Sequence, residues 1–439
     1  MSIIGILIGL LSLGLMMLIH EFGHFYTGLK LGFKIEEFSI FMGPRLLSWT
    51  KNGIRYSLKL LPIGASVAFD GEYPEKGQTF SADDRERGIF HAMPIWKRAC
   101  VIFAGPFSNL VSAFLALVIY LNIAGMYVPV VDQMADFSLL KSAGVEVGDE
   151  LVSINGRTIR NEMDLMTAEQ LLKSHDSVQL SYRNSAGELV DREIKLEPYV
   201  HYMLGISQNA QSDAPGIEVV GVDPKQNGGQ PNLQAGDRIM KVNGIEANSQ
   251  SLAEALASTK GGNISLEVIR DGSTVKLKSQ AIKQEFPNRP LAIRFKREKD
   301  FGHSWGYAFN YSSSVVRSTF RLLGEVFHGG IKAKDALSGP VGIVNMYSGI
   351  VGSAGIDWGV KLLQVLYLFI LISLSLGIMN LLPIPPLDGF TLVLLVVEKI
   401  RRKKLSLKTM EVLNFIGFFI IIGLAVVALG FDLLRIFKR

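Results

Sequence analysis

The sequence contains one cysteine, Cys100, among its 439 residues. No internal disulfide can therefore form, and cysteine chemistry has little support. Although the net charge is +5, the basic residues form no stripe with interleaved aromatic side chains, which argues against a nucleic-acid partner. The first residues also lack the basic stretch of a secretory signal peptide. We therefore expect the apolar run that begins at Ile3 to be retained.

Charged residues are scarce for a soluble enzyme, at 19% of the chain, whereas hydrophobic residues reach 48%. The mean hydropathy of +0.28 indicates a chain that is partly embedded in a membrane. Four apolar stretches approach the roughly 20 residues that a membrane-spanning helix requires. They are residues 3–29, 100–123, 362–397 and 412–434. The third is too long for one pass and is interrupted by Asn380, Asp388 and three prolines between them, which predicts a broken helix.

Basic residues indicate how the chain is oriented in the membrane. Six of them crowd residues 399–408, between the third and fourth stretches, and the positive-inside rule assigns this loop to the cytoplasm. Basic residues are also frequent in the loop that follows the first stretch. The region between the second and third stretches is then expected to lie outside.

That middle region, about residues 126–295, is soluble in character and contains an internal repeat. Residues 147–156 match residues 235–244, and the equivalent aspartates, Asp149 and Asp237, are 88 positions apart. Each copy begins with a Gly-Asp turn, continues as an alternating strand and ends in an Asn-Gly turn. This spacing predicts two small domains in tandem.

The motif His-Glu-Phe-Gly-His at residues 20–24 lies near the end of the first apolar stretch. On a helix, residues i and i+4 share a face, so His20 and His24 can offer two imidazole nitrogens to one Zn²⁺. Glu21 then stands beside them as a general base. Placing an ionisable side chain within a membrane segment costs free energy, so such side chains mark functional sites. The motif therefore predicts a zinc site inside the membrane.

A β-hairpin is predicted in the loop after the first stretch. An Asn-Gly pair at residues 52–53 precedes a strictly alternating segment, residues 54–60. This hairpin is either a structural edge or a surface to which an extended substrate adds as a strand, with Ile54, Tyr56 and Leu58 as its substrate-binding residues. A protease inside a membrane needs such a device, because a helical substrate hides its peptide bonds.

Three further motifs accompany the His-Glu-Phe-Gly-His segment. They are Ala-Gly-Pro at 104–106 followed by Asn109, Gly-Pro-Val-Gly-Ile at 339–343, and Asn-Leu-Leu-Pro at 380–383 running into Leu-Asp-Gly at 387–389. In this order the motifs resemble those of the site-2 protease family, and the tandem repeats are similar to PDZ domains. One departure follows Asp388, where Gly-Phe-Thr replaces the Gly-Gly-His that is frequent in relatives.

The resemblance implies a zinc centre in which His20, His24 and Asp388 bind the metal and Glu21 activates a water. It also implies that Asn380 contacts the substrate backbone or stabilises the developing oxyanion. Two imidazoles and one carboxylate would leave a fourth coordination position open, as in catalytic zinc sites.

The resemblance further implies an activity and a location. The chain is expected to be a zinc metalloendopeptidase that cleaves single-pass membrane proteins, typified by an anti-sigma factor already trimmed outside the membrane, and leftover signal peptides. The expected location is the bacterial inner membrane, in contact with lipids, with the PDZ pair in the periplasm and the active site towards the cytoplasm. The PDZ pair acts either as a size filter or by capturing a C-terminal carboxylate.

The predicted fold class is a polytopic α-helical membrane protein with four transmembrane helices, a membrane-associated β-hairpin region and two tandem PDZ-like α+β domains. The predicted segments are the first helix at 1–29, the hairpin loop at 30–98, the second helix at 99–124, the PDZ-like domains at 126–210 and 211–296, amphipathic helices at 297–358, the broken third helix at 359–398, a basic loop at 399–410 and the fourth helix at 411–435.

Two non-protease hypotheses remain open at this point. A membrane-anchored PDZ scaffold with a structural metal predicts four saturated protein ligands and no role for Glu21. A metal transporter predicts several metal sites at different membrane depths. The set of His20, His24 and Asp388 beside Glu21 suits a single open catalytic site better.

Overall fold

The computed structural model of this chain describes residues 2–72, 80–135, 137–172, 176–208, 215–222, 232–286, 288–329, 339–353, 356–403 and 407–437. These residues form two compact units. The helical unit comprises Met1–Val128, Arg160–Asp164 and Arg297–Arg439, and the strand-rich unit comprises Pro129–Ile159 and Leu165–Lys296.

The described helices are numbered in chain order. They are α1 (Ile3–Leu31), α2 (Ala82–Glu86), α3 (Ile95–Ala124), α4 (Leu139–Ser142), α5 (Glu162–Leu172), α6 (Ser249–Thr259), α7 (Phe301–Phe327), α8 (Pro340–Gly352), α9 (Trp358–Asn380), α10 (Asp388–Arg401) and α11 (Leu407–Phe437).

The described strands are numbered in the same way. They are β1 (Ile35–Lys51), β2 (Ile54–Phe69), β3 (Met126–Met134), β4 (Glu150–Ile154), β5 (Arg157–Thr158), β6 (Ser177–Arg183), β7 (Leu189–Lys195), β8 (Tyr199–Met203), β9 (Ile206–Gln208), β10 (Ile217–Val222), β11 (Arg238–Val242), β12 (Ile245–Glu246), β13 (Asn263–Arg270), β14 (Ser273–Gln280), β15 (Ile282–Phe286) and β16 (Ile293–Glu298).

Within the described residues, four helices are long and apolar enough to cross a membrane: α1, α3, α9 and, in α11, Phe415–Asp432. Their number agrees with the four membrane-spanning helices predicted from the sequence. Leu7, Leu11 and Leu15, spaced by four on α1, are each about half exposed, as expected for a face that lies against lipid. The third apolar stretch is broken as predicted, because α9 ends at Asn380 and α10 begins at Asp388. In the predicted basic loop, residues 404–406 lie outside the described part of the chain.

Small residues let α1 pack closely against its neighbours. A Cβ added to Gly23 would overlap the carbonyl oxygen of Ala104 on α3, and one added to Gly5 would overlap the backbone of Ser348 on α8. Buried side chains of α3, α7 and α9 form a separate apolar cluster that includes Leu117 and Tyr311. Helix α1 is therefore held between α3 and α8, with one face left to lipid.

Strands β1 and β2 are long and fold over to form four segments of one antiparallel sheet, which we call the membrane sheet. Residues 35–40 pair on one side with residues 65–69 and on the other with residues 55–58, and residues 45–51 pair with residues 54–59. The order of segments is therefore 65–69, 35–40, 54–59 and 45–51. The Asn-Gly turn at 52–53 lies where it was predicted, with positive φ at both residues.

This arrangement corrects one prediction. Tyr56 pairs with both Phe38 and Trp49, and Leu58 pairs with both Ile40 and Leu47. Their segment is flanked on both sides, so it offers no free edge to a substrate strand, and Ile54 lies buried at the turn that begins it. Among the described residues, the segments of the membrane sheet that pair on one side only are residues 65–69 and residues 45–51.

The strand-rich unit confirms the internal repeat. One sheet has the order β16-β3-β4-β6-β7 with β5 paired to β4, and the other has the order β14-β13-β11-β10-β9 with β12 paired to β11. Equivalent turn contacts recur: the side-chain oxygen of Asn155 accepts from the amide of Gln179 at 2.7 Å, and that of Asn243 accepts from the amide of Ser265 at 2.9 Å. The two copies therefore share one α+β arrangement.

The predicted boundaries at 126–210 and 211–296 do not separate the two sheets. Strand β9 precedes the boundary but pairs with β10 in the second sheet, whereas β16 follows the second copy and completes the first sheet. The boundary itself falls within residues 209–214, which lie outside the described residues. Each copy therefore takes its outermost strand from beyond its own repeat, which sequence similarity between the copies does not reveal.

Candidate metal centre

Three side chains from two helices of the helical unit converge at one point. Nε2 of His20 lies 3.0 Å from Oδ2 of Asp388, and Nε2 of His24 lies 3.4 Å from the same oxygen. The two Nε2 atoms are 3.1 Å apart. His20 and His24 come from one face of α1, and Asp388 is the first residue of α10. Among the described residues these three form the one cluster of potential metal ligands.

The spacing of these atoms fits a tetrahedral metal. Two ligands that each lie about 2.0–2.1 Å from a tetrahedral zinc ion are about 3.3 Å apart. The three observed separations, 3.0, 3.1 and 3.4 Å, lie close to that value. Two nitrogens and one carboxylate oxygen are also the ligand types that zinc prefers.

Hydrogen bonding gives a second test of the fit. Nδ1 of His24 donates to the carbonyl oxygen of Val101 at 2.8 Å, so in the neutral ring Nε2 carries a lone pair. That lone pair faces Oδ2 of Asp388, a buried carboxylate oxygen for which no hydrogen-bond donor is found in the described structure. Electron-rich atoms at these distances repel unless a cation lies between them. The donor set therefore fits Zn²⁺.

The Ala-Gly-Pro segment of α3 brings α3 against the histidines. The hydroxyl of Ser108 donates to the carbonyl oxygen of Ile19 at 2.8 Å, which fixes the crossing of α3 and α1. A Cβ on Gly105 would overlap Nε2 of His24. Glycine at this position is therefore required by the space that the imidazole occupies.

Asp388 is positioned by contacts at both ends of α10. A Cβ on Gly389 would overlap the backbone of Leu381, so the start of α10 lies directly against the turn that ends α9. At the other end, the guanidinium of Arg98 on α3 donates to Oε1 of Glu398 at 2.7 Å, and both side chains are largely buried. These contacts hold α10 beside α3, and with it the third ligand.

Glu21 lies next to the free edge of the membrane sheet. Its Oε2 accepts a hydrogen bond from the backbone amide of Val67 at 3.0 Å. Val67 belongs to the edge segment 65–69, which pairs with residues 35–40 on its other side only. The candidate base is therefore held at the boundary between the metal cluster and a strand edge that can accept another strand.

The remaining predicted site residues lie on the turn that ends α9 and in the membrane sheet. Asn380 is the half-buried last residue of α9, at the turn that packs against the start of α10. Tyr56 and Leu58 lie in the interior of the membrane sheet and Ile54 at the turn that begins their segment, and the ring of Tyr56 stacks on Trp49 with centroids 5.7 Å apart. Ile54 and Tyr56 also belong to an apolar cluster with Phe25 and Phe38.

Two features of the site were missed from the sequence. The carbonyl of Val101 is a backbone group, and no sequence pattern marks it as the partner of His24. Glu72 follows the edge segment directly, and its carboxylate accepts from the amide of Phe69 at 3.3 Å. Burial raises the pKa of Glu72 to about 7, and the hydrogen bond from the amide of Phe69 acts in the opposite direction.

Gly105→Ala is expected to reduce zinc content strongly, because the added methyl group displaces the imidazole of His24. Metal analysis of detergent-purified protein measures this. Gly349→Ala is the matched control, since a Cβ there meets no atom within 4 Å and the variant should retain its zinc. Normal zinc content in Gly105→Ala would show that His24 does not bind the metal in the observed rotamer.

Comparison with known proteins identifies the family. The model of peptidase family M50 matches residues 8–424. The chain is 28% identical to "Regulator of sigma-E protease RseP" of Escherichia coli over 456 residues, which cover 97% of this chain and 98% of the relative. It is 27% identical to "Protease RseP" of Yersinia pestis and 26% identical to "Regulator of sigma E protease" of Haemophilus influenzae, each over 457 residues with the same coverage.

These matches span both the membrane helices and the repeated sheets, so they favour the metalloprotease hypothesis over the scaffold and the transporter. The single described cluster of three ligands agrees with a site that keeps a coordination position open. The chain therefore belongs to peptidase family M50, the site-2 protease family of membrane-embedded zinc metalloproteases.

Proposed function

We propose that this chain cleaves single-pass membrane proteins within the bilayer, using His20, His24 and Asp388 to hold zinc and Glu21 as the base. The observation that carries the proposal is the convergence of the three ligand atoms, at separations of 3.0 to 3.4 Å, between helices that are apolar enough to span a membrane. Ionisable groups in such a position are energetically costly, so their presence indicates a functional site.

The roles of the side chains follow from their chemistry. Zinc, when bound, supplies a Lewis acid that activates water and polarises the scissile carbonyl. The carboxylate of Glu21 takes the proton from the attacking water and delivers it to the leaving nitrogen. Before a substrate strand takes the amide of Val67, this amide donates to one oxygen of Glu21 at 3.0 Å and holds the carboxylate beside the metal cluster.

Asn380 is proposed to contact the substrate backbone or the developing oxyanion. Its position supports this role, because the turn at the end of α9 lies against the start of α10, where Asp388 is the first residue. A side-chain amide can donate to an oxyanion without introducing a charge, and such donors contribute strongly in sites that exclude water.

The substrate is proposed to bind as a strand along residues 65–69. We assign substrate binding to this edge instead of to residues 54–60, which the alternating pattern had suggested but which lie inside the sheet. The amide of Val67 points away from the membrane sheet, since it donates to Glu21 rather than to residues 35–40. In antiparallel sheets the amides of alternate residues point the same way, so Ala65 and Phe69 share this direction. Pairing with this edge as an added strand would unwind the substrate and bring the substrate backbone to the metal cluster.

The repeated sheets are proposed to be PDZ domains that act outside the membrane as a size filter. Two observations support this: the two sheets share one order of equivalent strands, and the basic loop 399–408 is expected on the cytoplasmic side of the membrane, opposite the repeats. The proposed location is the bacterial inner membrane, with these sheets in the periplasm and the zinc site towards the cytoplasm. The proposed substrates are an anti-sigma factor after outer-side trimming and leftover signal peptides.

This function predicts a preference for trimmed substrates. Two model substrates with the same membrane segment, one with a folded outer domain and one without, should be cleaved at rates that differ by about tenfold or more in favour of the short one. Quantification of products by gel electrophoresis measures this in detergent-purified protein. The same two substrates, cut by a soluble protease at a common cytoplasmic site, control for their general accessibility. Equal cleavage by the purified protein would exclude a size filter.

A further inference from the structure

Glu72 makes contacts that resemble those of a neighbouring strand. Its Oε2 accepts from the backbone amide of Phe69 at 3.3 Å, and its own backbone amide donates to the carbonyl oxygen of Phe69 at 3.2 Å. In an antiparallel sheet, a hydrogen-bonded pair exchanges two bonds of this kind between two residues. Glu72 therefore satisfies both backbone groups of Phe69 in the way that a residue of an added strand would.

Two of the three amides that point outward from this edge, those of Val67 and Phe69, donate to carboxylates. Glu21 accepts from Val67 at 3.0 Å, and Glu72 accepts from Phe69, two residues further along. Residues 35–40 occupy the other side of the segment. A substrate strand that extends along the whole edge needs both amides, so Glu21 must release the amide of Val67 and Glu72 must release the amide of Phe69.

The turn that carries Glu72 is anchored by its backbone. Nε2 of His91 lies 3.1 Å from the carbonyl oxygen of Glu72, and the His91 ring packs against Phe90 with centroids 5.8 Å apart. The amide of Phe90 in turn donates to the carbonyl oxygen of Asp70 at 2.8 Å. These bonds fix the main chain at this point, whereas the Glu72 carboxylate can change its rotamer without disturbing them.

We propose that Glu72 is a specificity-determining residue that occupies the last position of the substrate-binding edge and must be displaced by the substrate strand. This proposal rests on the proposed function, because it assumes that the edge 65–69 receives the substrate. Glu72 thus competes with the substrate for one backbone amide, and weak or short strands that cannot replace it bind poorly.

Replacing Glu72 separates this role from a structural one. In Glu72→Ala the amide of Phe69 is free, so KM for a single-pass model peptide should fall by about fivefold, with a smaller change in kcat. Glu72→Asp keeps the charge but shortens the side chain, and it should lower KM to a similar extent. Glu72→Gln retains an acceptor oxygen of weaker, uncharged type, so its KM should lie between those of Glu72→Ala and wild type. Glu86→Ala, which removes an exposed carboxylate of α2, is the matched control.

The result that supports the proposal is a KM that follows the reach of the side chain, with zinc content equal to that of wild type. An unchanged or higher KM in Glu72→Ala would overturn it. So would a KM that follows charge, with Glu72→Asp like wild type and Glu72→Gln like alanine, because Glu72 would then act on the metal cluster. Loss of zinc in all three variants would assign Glu72 to the metal site and equally overturn the proposal.

A binding measurement keeps this test independent of catalysis. The dissociation constant of a fluorescent single-pass peptide is compared between Glu21→Gln and the double variant Glu21→Gln with Glu72→Ala. We expect about fivefold tighter binding to the double variant, and equal affinities would contradict the role of Glu72. If wild type cleaves no peptide while this difference is present, the proposed function fails and the competition of Glu72 for the edge still stands.

Discussion

Glu21→Gln is expected to abolish cleavage while leaving zinc in place. General-base catalysis contributes about 10²- to 10⁴-fold to rates, and a neutral amide cannot accept the proton from water. The amide oxygen can still accept from Val67, so the contact to the membrane sheet at 3.0 Å is preserved. We therefore expect a fall in kcat of about 10³-fold, measured with a single-pass model peptide, at unchanged zinc content.

Glu86→Gln is the control for this experiment, because it makes the same chemical change on an exposed residue of α2. It should cleave at the wild-type rate. Wild-type turnover by Glu21→Gln would remove Glu21 from the role of base. Loss of zinc from Glu21→Gln would instead indicate that Glu21 is a ligand, which the convergence of His20, His24 and Asp388 does not predict.

Asp388→Asn is expected to lose both zinc and activity. The substitution replaces the one carboxylate of the cluster by a neutral amide, and Oδ2 of Asp388 is the atom that both imidazoles approach, at 3.0 and 3.4 Å. Metal affinity should fall by at least about tenfold, since even changes to residues that only support metal ligands cost 10- to 100-fold. Titration of metal-free protein with zinc in the presence of a competing chelator measures this affinity.

Asp357→Asn provides the comparison. Asp357 caps the start of α9 by accepting from the amide of Gly359 at 2.7 Å, and asparagine can make the same bond. This variant should bind zinc as wild type does. If Asp388→Asn also bound zinc with wild-type affinity, Asp388 would not be a ligand, and the third protein ligand would have to come from elsewhere.

The sequence was sufficient to predict the local part of the site. His20 and His24 share a helix face because they are four residues apart, and this geometry needs no tertiary information. The break between α9 and α10 was also predictable, because three prolines cluster at residues 383–386 and remove several backbone donors of a helix, whereas the single Pro106 is accommodated inside α3. Asp388 is 364 residues from His24, and its approach depends on the packing of α10 against α3, so only the resemblance to a family indicated it.

The membrane sheet shows why the substrate edge was misplaced. Alternation of residues 54–60 correctly predicts a strand, and the Asn-Gly pair correctly predicts the turn before it. Neither pattern reports how many neighbours a strand has. Residues 35–40 fold between the two arms of β2, so the alternating segment becomes interior and the segment near Val67 becomes the edge. Edge position is a property of the whole sheet rather than of any strand in it.

The exchange of outer strands in the repeated unit has the same origin. The Gly-Asp and Asn-Gly turns recur because each copy needs positive φ at fixed points, for example at Gly148 and Gly236. Strands β9 and β16 carry no such turn, and in the sequence β9 lies between the two copies whereas β16 follows the second copy. Their pairing is decided by long-range packing, which is why boundaries drawn from the repeats did not match the sheets.

The most direct test of the account is to locate the bond that is cut. A single-pass model substrate without an outer domain is incubated with detergent-purified wild type and with Glu21→Gln at equal measured zinc content, and the products are sequenced by mass spectrometry. We expect that wild type alone cuts, at a peptide bond inside the apolar segment of the substrate. Cleavage only outside that segment, or no cleavage by wild type with zinc present, would contradict an intramembrane protease.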